Sequence, residues 1–175
     1  MDGRLGRMKE ETEIVAATPG DFADAERAVF SKLVLAGGEV GGAVLERNIA
    51  SAKALVFLRR AQEVQGIAAL KRPQTSYRKR IGGEAGTKIA MDRFPYELGY
   101  VFLLPEAQGK RLSHALVAAA LERADGAGLF STTRIDNAAM LATLTKAGFT
   151  PAGEPYRGIG TRMIRLLLRA AEHVG

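Results

Sequence analysis

Apolar residues along this 175-residue chain fall into short continuous runs separated by segments with helical spacing. The runs have the length of β-strands, and turn residues border them. The second and third runs are close enough in sequence to pair across a turn, and the last is interrupted only by Arg165. The predicted strands cover residues 13–17, 54–58, 64–70, 98–104, 129–133 and 163–168.

Four segments between the strands have the apolar spacing of helices. Thr18-Pro19 is expected to start the first helix, with threonine as N-cap and proline in the first turn. The other helices are predicted over residues 40–50, over 110–123, and from Asp136-Asn137 to Gly148. The side chains predicted to face the core are Phe22, Ala25, Val29 and Leu33 in the first helix, Val44, Leu45 and Ile49 in the second, and Leu112, Ala115, Leu116 and Ala119 in the third.

Three stretches lack a clear pattern. Residues 1–11 are polar and are expected to form a flexible tail. Residues 71–95 are predicted to be an irregular connection, and two interpretations stand open: a flap over a binding site, or a disordered insertion. The prolines within residues 151–155 predict a turn between the last helix and the last strand.

Composition narrows the function classes. Hydrophobic residues make up 47% of the chain and charged residues 25%, which is typical of a globular protein, so one domain over residues 1–175 is expected. The chain has no cysteine and two histidines, which excludes a disulfide framework and a thiolate nucleophile and argues against a metal centre. Apolar runs are too short for a membrane span, so no membrane partner and a cytoplasmic location are expected.

The formal net charge of +6 favours an anionic partner. Nucleic acid is one candidate and a phosphorylated cofactor is another. The basic residues are scattered, apart from a cluster at Arg78-Lys79-Arg80, and the sequence contains no signature of a nucleic-acid module. Nucleic acid is therefore the weaker candidate, and the preferred interpretation is a solvated basic surface.

The strand at 98–104 begins the most informative part of the chain. Pro105 ends this strand, and the short turn Gln108-Gly109-Lys110 leads into the next helix. Such a turn leaves free backbone N–H groups at a helix N-terminus, where the helix dipole also favours negative charge. The pattern indicates a phosphate-binding turn.

With these elements the chain resembles the GNAT superfamily of acyl-CoA-dependent N-acyltransferases. The family signature after the fourth strand is Arg/Gln-x-x-Gly-x-Gly/Ala, and the chain has Gln108-Gly109-Lys110-Arg111-Leu112-Ser113 at that place. The later signature is an asparagine followed eleven and twelve residues on by Gly-Phe, here Asn137 and Gly148-Phe149. The resemblance is closest over residues 97–149. It implies a single α/β domain of the GNAT type, a twisted mixed sheet flanked by helices on both faces.

The resemblance also implies an activity: transfer of an acetyl group from acetyl-CoA, as cosubstrate, to a small-molecule or peptide amine. The absence of cysteine favours direct attack within a ternary complex over a covalent acyl-enzyme. A GNAT-shaped module that binds or senses acyl-CoA without turnover is the alternative, and a nucleic-acid-associated protein is a second one. A homodimer is possible for a protein of this kind.

Two residues are implied to be catalytic. Glu97 lies eleven residues before Gln108, the spacing at which histone-acetylating members place their general base. The alternative for Glu97 is a carboxylate at a strand start in a surface salt bridge. Tyr100 is a candidate for the general acid, beside Tyr156 and water.

A second group of residues is implied to hold the cofactor. Backbone groups of Val101 and Leu103 would meet the thioester carbonyl and the pantetheine arm, and the N–H groups of the turn would meet the pyrophosphate. Asn137 would contact the cofactor arm, cap its helix, or do both. The implied cofactor-binding residues are Val101, Phe102, Leu103, Gln108, Gly109, Lys110, Arg111, Leu112, Ser113 and Asn137.

The chain departs from the family pattern at three positions. Arg111 and Ser113 stand where the family usually has glycine or alanine. Leu144 stands seven residues after Asn137, where many members have a tyrosine that acts as general acid, and its apolar neighbours predict a core position instead. This departure weakens the case for acid catalysis from the last predicted helix.

Overall fold

The computed structural model describes residues 11–39 and 41–173. Seven strands form one sheet in the order β1-β2-β3-β4-β5-β7-β6, and every neighbouring pair is antiparallel except β4 and β5. The strands are β1 (Thr12–Ala17), β2 (Ala54–Arg60), β3 (Glu63–Lys71), β4 (Tyr96–Leu103), β5 (Leu129–Arg134), β6 (Thr150–Arg157) and β7 (Met163–Arg169). All six predicted strands are present, with bounds that differ by two residues or fewer.

Helices cover both faces of the sheet. They are α1 (Asp24–Ala36), α2 (Ala43–Ala50), α3 (Thr75–Ala85), α4 (Leu112–Glu122) and α5 (Ala138–Lys146). Side chains alternate along β2, so that Leu55 and Phe57 belong to the apolar cluster with α1 and α2. Val56 and Leu58 belong to the cluster with α4 and α5 on the other face. The predicted mixed sheet with helices on both faces is confirmed.

β4 lies at the centre of the sheet and contains a bulge. Tyr100 has a φ of 53°, in the left-handed region that tyrosine rarely adopts. The pairing with β3 shifts register between Ile67 and Ala69, as expected where a bulge bends a strand and re-aims its side chains. β4 pairs with β5 only at Tyr96 and Glu97. The rest of β4 continues without its parallel partner, so the two strands part beyond Glu97.

The prediction of an irregular connection over residues 71–95 is wrong in its central part. Residues Thr75–Ala85 form α3, whose side chains Ile81 and Ala85 are buried. A Cβ added at Gly153 of β6 would lie 2.0 Å from the Ala85 carbonyl oxygen, which shows how closely α3 packs on the sheet. The interpretation as a disordered insertion is therefore wrong, and a flap over a binding site stays a prediction in which the covering element is a packed helix.

The basic cluster at 78–80 is also not a uniformly solvated surface. Arg78 is only 4% exposed, whereas Lys79 and Arg80 are exposed. The Arg78 guanidinium donates hydrogen bonds to the carbonyl oxygens of Phe94 and, at 2.6 Å, Pro95, and it stacks on the Phe130 ring at 5.4 Å. Arg78 therefore fastens α3 to the segment that enters β4.

The first predicted helix starts later than expected. Thr18 does not cap an α-helix: Pro19–Asp21 form a 3-10 turn, and α1 begins at Asp24. The predicted inward face of this helix is consequently wrong at Ala25 and at Val29, which is 40% exposed. Phe22 is buried ahead of the helix, and the buried face of α1 consists of Phe30, Ser31, Leu33 and Val34.

The faces of the next two helices are partly as predicted. In α2, Leu45 and Ile49 are buried one turn apart, but Val44 is 58% exposed because so short a helix presents a single stripe to the core. In α4, Leu116 is buried as predicted, and Val117 and Ala120 are the other fully buried members of its face. The remaining predicted residues of α4, Leu112, Ala115 and Ala119, are half-buried.

The predicted turn over residues 151–155 is wrong, since these residues lie inside β6. β6 is an edge strand, where proline is tolerated because one side of the strand needs no ladder hydrogen bonds. Residues 1–10 of the predicted tail (1–11) and residue 40, the predicted start of a helix, lie outside the described residues. Within the described part of the chain, no helix has the length and apolarity needed to cross a membrane.

Candidate active site

The bulge distributes the side chains of β4 between the two faces of the sheet. Tyr100 and Phe102 pack against the cluster with α1 and α2. Val101 and Leu103 pack against the cluster with α4. Their apolar side chains thus have core roles, and any contact of Val101 or Leu103 with a ligand would use backbone groups.

Glu97 is a buried carboxylate, 3% exposed, at the start of β4. The Tyr77 hydroxyl donates a hydrogen bond of 3.0 Å to Oε1. The ammonium of Lys71, its register partner on β3, lies 3.2 Å from Oε2 as an ion pair. Among the described residues, however, Oε2 accepts no hydrogen bond with acceptable geometry. The interpretation of Glu97 as a surface salt bridge is therefore wrong, because the pair is buried.

Lys71 is held by more than this ion pair. Its Nζ lies 4.4 Å from the centroid of the Tyr100 ring and 5.6 Å from that of Tyr77, distances at which a cation is attracted to an aromatic face. Burial alone would lower the pKa of Lys71, but the negative charge of Glu97 and further anionic groups outweigh it and leave the pKa above its usual value. Lys71 is thus protonated at neutral pH.

Tyr77, like Lys71, is a site residue that the sequence analysis missed. It lies on α3, and burial together with the Glu97 carboxylate raises the pKa of its hydroxyl well above the usual range. The buried Arg78 next to it anchors this part of α3 to the entry of β4, which keeps Tyr77 facing Glu97. Recognising α3 as a helix would have drawn attention to Tyr77, but the basic run at 78–80 and Gly82-Gly83 made the segment look irregular.

Tyr100 and Tyr156, the two candidates for the general acid, have different surroundings. The Tyr100 ring packs edge-on against Phe30, and Asn48 of α2 donates to its hydroxyl at 3.4 Å. Tyr156 of β6 is buried, and burial together with the negative charge of Glu97 raises its pKa to about 12. Both side chains lie on the face that carries Glu97.

The predicted phosphate turn connects β4 to α4. Gly109 has a φ of 77° and Arg111 a φ of 59°, so the chain twice enters the left-handed region before the helix. Arg111 is the N-cap of α4, and its side chain makes no capping hydrogen bond. The first backbone N–H groups of α4 therefore have no side-chain acceptor among the described residues. Gln108 Nε2 donates to the Leu103 carbonyl at 3.0 Å, which ties this turn back to the end of β4.

These features fit an anionic ligand such as a CoA pyrophosphate. A Cβ at Gly109 would meet no atom within 4 Å, so the turn is open on that side. Lys110 and Arg111 are exposed and add positive charge close to the uncapped N–H groups. Leu112 and Ser113, the first helical residues, are half-buried, and the Ser113 hydroxyl lies 3.3 Å from that of Thr143 on α5.

α5 starts as predicted. The Asn137 side chain accepts a hydrogen bond of 3.1 Å from the backbone N–H of Met140, so Asn137 is the N-cap of α5. Leu144 is fully buried in the cluster between α4, α5 and the sheet, which confirms the core position expected for it. His114 is half-buried on α4.

The predicted site residues thus form two groups. Glu97 and Tyr100 lie with Lys71 and Tyr77 on the face covered by α1, α2 and α3. Residues 108–113 form the turn at the far end of β4, and Val101, Phe102 and Leu103 connect the two groups along the strand. One strand, β4, connects a polar cluster lined by tyrosines to an open turn at an uncapped helix N-terminus. Beyond Glu97 the backbone of this strand is not paired with β5.

Comparison with known proteins agrees with this geometry. A sequence model of the Acetyltransferase (GNAT) family matches residues 38–149. The search of curated proteins returned no match to the sequence.

Solved structures with the same fold include three acyltransferases. An acyl-CoA N-acyltransferase from Pseudomonas aeruginosa is 15% identical and has a TM-score of 0.62, with 91% of this chain and 100% of that chain covered. The ribosomal-protein-S18-alanine N-acetyltransferase from Escherichia coli is 14% identical with a TM-score of 0.65, covering 94% and 97%. A GNAT family acetyltransferase from Elizabethkingia anophelis, solved with acetyl-CoA bound, is 15% identical with a TM-score of 0.60, covering 93% and 99%. At these identities the likeness establishes the fold.

Proposed function

Because the chain belongs to the GNAT acetyltransferase family, we propose that it is an N-acetyltransferase that moves an acetyl group from acetyl-CoA to a primary amine. The observation that carries the proposal is the parting of β4 from β5 directly before an uncapped helix N-terminus. An extended ligand arm can pair with the free backbone of β4 while its phosphates meet α4. We further propose that residues 1–175 act as one domain and that the protein is cytoplasmic.

The cosubstrate supplies the acetyl group as an activated thioester. Its pyrophosphate would be held by the backbone N–H groups of residues 109–113, with Lys110 and Arg111 contributing positive charge. Backbone groups of Val101 and Leu103 would orient the arm along β4. Asn137 keeps its N-cap role and lies at the start of the helix that packs beside α4.

Glu97 is the proposed general base. It is buried, and it lies on the face of the sheet where α1, α2 and α3 would surround an acceptor. The acceptor ammonium must lose a proton before its nitrogen can attack, and a carboxylate at this position can take it, directly or through a water molecule. Attack is direct, since the chain has no cysteine to form an acyl-enzyme. A tyrosine of the same cluster, Tyr77 or Tyr100, or water returns a proton to the departing sulfur.

The test is a turnover assay with acetyl-CoA and a panel of amines that includes alkylamines, polyamines, aminoglycosides and peptide N-termini. The rate of CoA release should rise with the concentration of one class of amine. Without that amine, it should equal the background rate of acetyl-CoA hydrolysis. Binding of acetyl-CoA is measured in parallel by thermal shift, because a ligand that binds only the folded state raises the melting temperature. No shift at millimolar acetyl-CoA would refute the proposal.

A second candidate function is acyl-CoA binding or sensing without turnover. Two observations favour it: Leu144 is buried where many family members have the acid tyrosine, and Lys71 and Tyr77 already engage the Glu97 carboxylate. Binding of acetyl-CoA with no CoA release for any amine in the panel would select this alternative.

A further inference from the structure

We propose that the acceptor amine binds to the cluster of Glu97, Tyr77 and Tyr100, which we name the ammonium box. The box selects an unbranched primary alkylammonium. Lys71 occupies it until the acceptor binds. The inference rests on the proposed function and deepens it, because it names the chemical class of the acceptor.

The box has the chemistry of an organic-cation site. A carboxylate oxygen of Glu97 lies 3.2 Å from the Lys71 ammonium, and the Tyr100 and Tyr77 rings lie 4.4 Å and 5.6 Å from it. A carboxylate and aromatic faces are the groups that attract an alkylammonium, one through charge and the others through the ring quadrupole. The Lys71 side chain therefore shows that an alkylammonium group fits this box.

Lys71 neutralises the box from an unfavourable direction. Glu97 is 3% exposed, and its Oε2 forms an ion pair with the Lys71 ammonium at 3.2 Å, but the angle at this contact is not that of a well-formed hydrogen bond. A hydrogen bond weakens as its angle departs from linear, so this contact satisfies the buried oxygen incompletely. A free alkylammonium has three N–H donors and no tether to β3, so it can approach Oε2 in a direction that Lys71 does not.

The space that the Lys71 stem fills on its way to the box is narrow. A Cβ added at Gly99 would lie 2.8 Å from Cδ of Lys71, so the aliphatic stem runs directly against the backbone of β4. A branched or aromatic amine would need more width than this stem uses. Glu39, an exposed residue in the connection between α1 and α2, acts electrostatically on Lys71, so its negative charge also favours a cation in the box.

Exchange of the two ammonium groups is required because both cannot occupy the box without repulsion. In the transfer, the acceptor ammonium gives one proton to Glu97, and its nitrogen forms a bond to the acetyl carbon while the carbon–sulfur bond breaks. The sulfur leaves with the electron pair and takes up one proton, and the nitrogen releases its second proton. The products are the N-alkylacetamide, CoA and one proton.

Chemical rescue tests the box directly. Lys71→Ala removes the three methylenes and the ammonium beyond Cβ, which together correspond to n-propylammonium. We expect the variant to melt at a lower temperature than wild type and n-propylammonium chloride to raise its melting temperature in a saturable manner, by roughly 5–10 °C at a hundredfold excess over Kd. n-Propanol should not do so.

The matched control is Lys53→Ala. Lys53 also forms an ion pair, 3.4 Å from Asp125, but away from the box and with a more exposed side chain. In this variant and in wild type, Lys71 competes for the box, so n-propylammonium should raise their melting temperatures equally and by less than half as much as that of Lys71→Ala. An equal response of all three proteins, or none by Lys71→Ala, would overturn the assignment of the box.

Turnover links the box to the acceptor. With acetyl-CoA, Lys71→Ala should acetylate n-propylamine at least tenfold faster than wild type, whereas tert-butylamine and aniline should stay at background. If Lys71→Ala does not fold alone, refolding is repeated with n-propylammonium chloride or with an equal concentration of sodium chloride. Folding with n-propylammonium only is then the expected rescue, and failure to fold in either salt would overturn the assignment of the box. If n-propylammonium stabilises Lys71→Ala but is not acetylated faster, while the protein acetylates another amine, the box does not bind the acceptor. The proposed function would still hold in that case. No transfer to any amine would refute the proposed function itself.

Discussion

Replacing Arg111 by glycine should stabilise the protein and leave the anion-binding turn intact. Arg111 is the N-cap of α4 and has φ 59° and ψ 20°, a left-handed conformation in which an L-residue brings its Cβ close to the following carbonyl. Its side chain is exposed and makes no hydrogen bond or ion pair with the described residues. The substitution therefore removes strain and no stabilising contact.

The magnitude follows from two opposing terms. The left-handed conformation costs a non-glycine residue about 1–2 kcal/mol. Glycine loses about 0.5–1 kcal/mol more backbone entropy on folding than alanine. The difference of the two ranges is a net gain in the free energy of unfolding of about 0–1.5 kcal/mol, centred at about 0.75 kcal/mol, or a rise in melting temperature of up to about 6 °C for a chain of this size.

The assay compares Arg111→Gly with Arg111→Ala, because alanine removes the side chain and keeps the Cβ. Urea unfolding should place Arg111→Gly above wild type and Arg111→Ala within about 0.5 kcal/mol of it. Titration calorimetry should show that Arg111→Gly keeps its affinity for acetyl-CoA. If Arg111→Gly is no more stable than Arg111→Ala, the strain argument is refuted. If Arg111→Ala loses about 1.5–3 kcal/mol of binding energy in a salt-sensitive way, the side chain rather than the backbone holds a phosphate.

Three further predictions concern the cluster around Glu97. Glu97→Gln should lower turnover by roughly 10²- to 10⁴-fold with little change in acetyl-CoA affinity, measured by CoA release and calorimetry; unchanged turnover would move the base role to water. Arg78→Met should lower the free energy of unfolding by about 2–4 kcal/mol, because the buried carbonyl of Phe94 and the partly buried carbonyl of Pro95 lose their donor, whereas the exposed Lys79→Met should change it by about 0.5 kcal/mol or less. Burial raises the pKa of Tyr156 to about 12 in the folded protein, whereas tyrosine in the unfolded chain titrates near pH 10. The unfolded state therefore loses this proton at a lower pH, and the free energy of unfolding should fall as the pH rises above about 10. Tyr156→Phe should make that fall shallower in alkaline urea titrations.

The elements from β4 to α5 could be predicted from the sequence because each boundary has a local cause. Pro105 cannot continue a ladder, Gly109 adopts a positive φ, Asn137 caps a helix with its side chain, and Gly148 ends it at φ 92°. These signals act within a few residues, so they can be recognised without knowing the tertiary fold.

α3 could not be predicted in the same way. Its sequence combines a basic run with two adjacent glycines, and both weaken a helix in isolation. Tertiary contacts stabilise it: Ile81 and Ala85 are buried against the sheet, and Arg78 satisfies carbonyls of the segment before β4. Missing α3 meant missing Tyr77, and with it the hydrogen bond that defines one side of the Glu97 site.

The pairing of Lys71 with Glu97 was hidden for a different reason. The two residues are far apart in sequence and become neighbours only through the register of β3 against β4. The spacing to the phosphate turn identified Glu97 as a candidate, but it contained no information on which residue would lie opposite. The bulge at Tyr100 likewise depends on the pairing with β3.

The most direct test of the central claim is to quantify both products of one reaction. Wild-type protein is incubated with acetyl-CoA and the amine that gives most CoA release, and the acetylated amine and free CoA are measured from the same sample by mass spectrometry. The proposed function predicts equal amounts of the two products, and loss of both in Glu97→Gln. Free CoA without acetylated amine, or neither product despite bound acetyl-CoA, would contradict it.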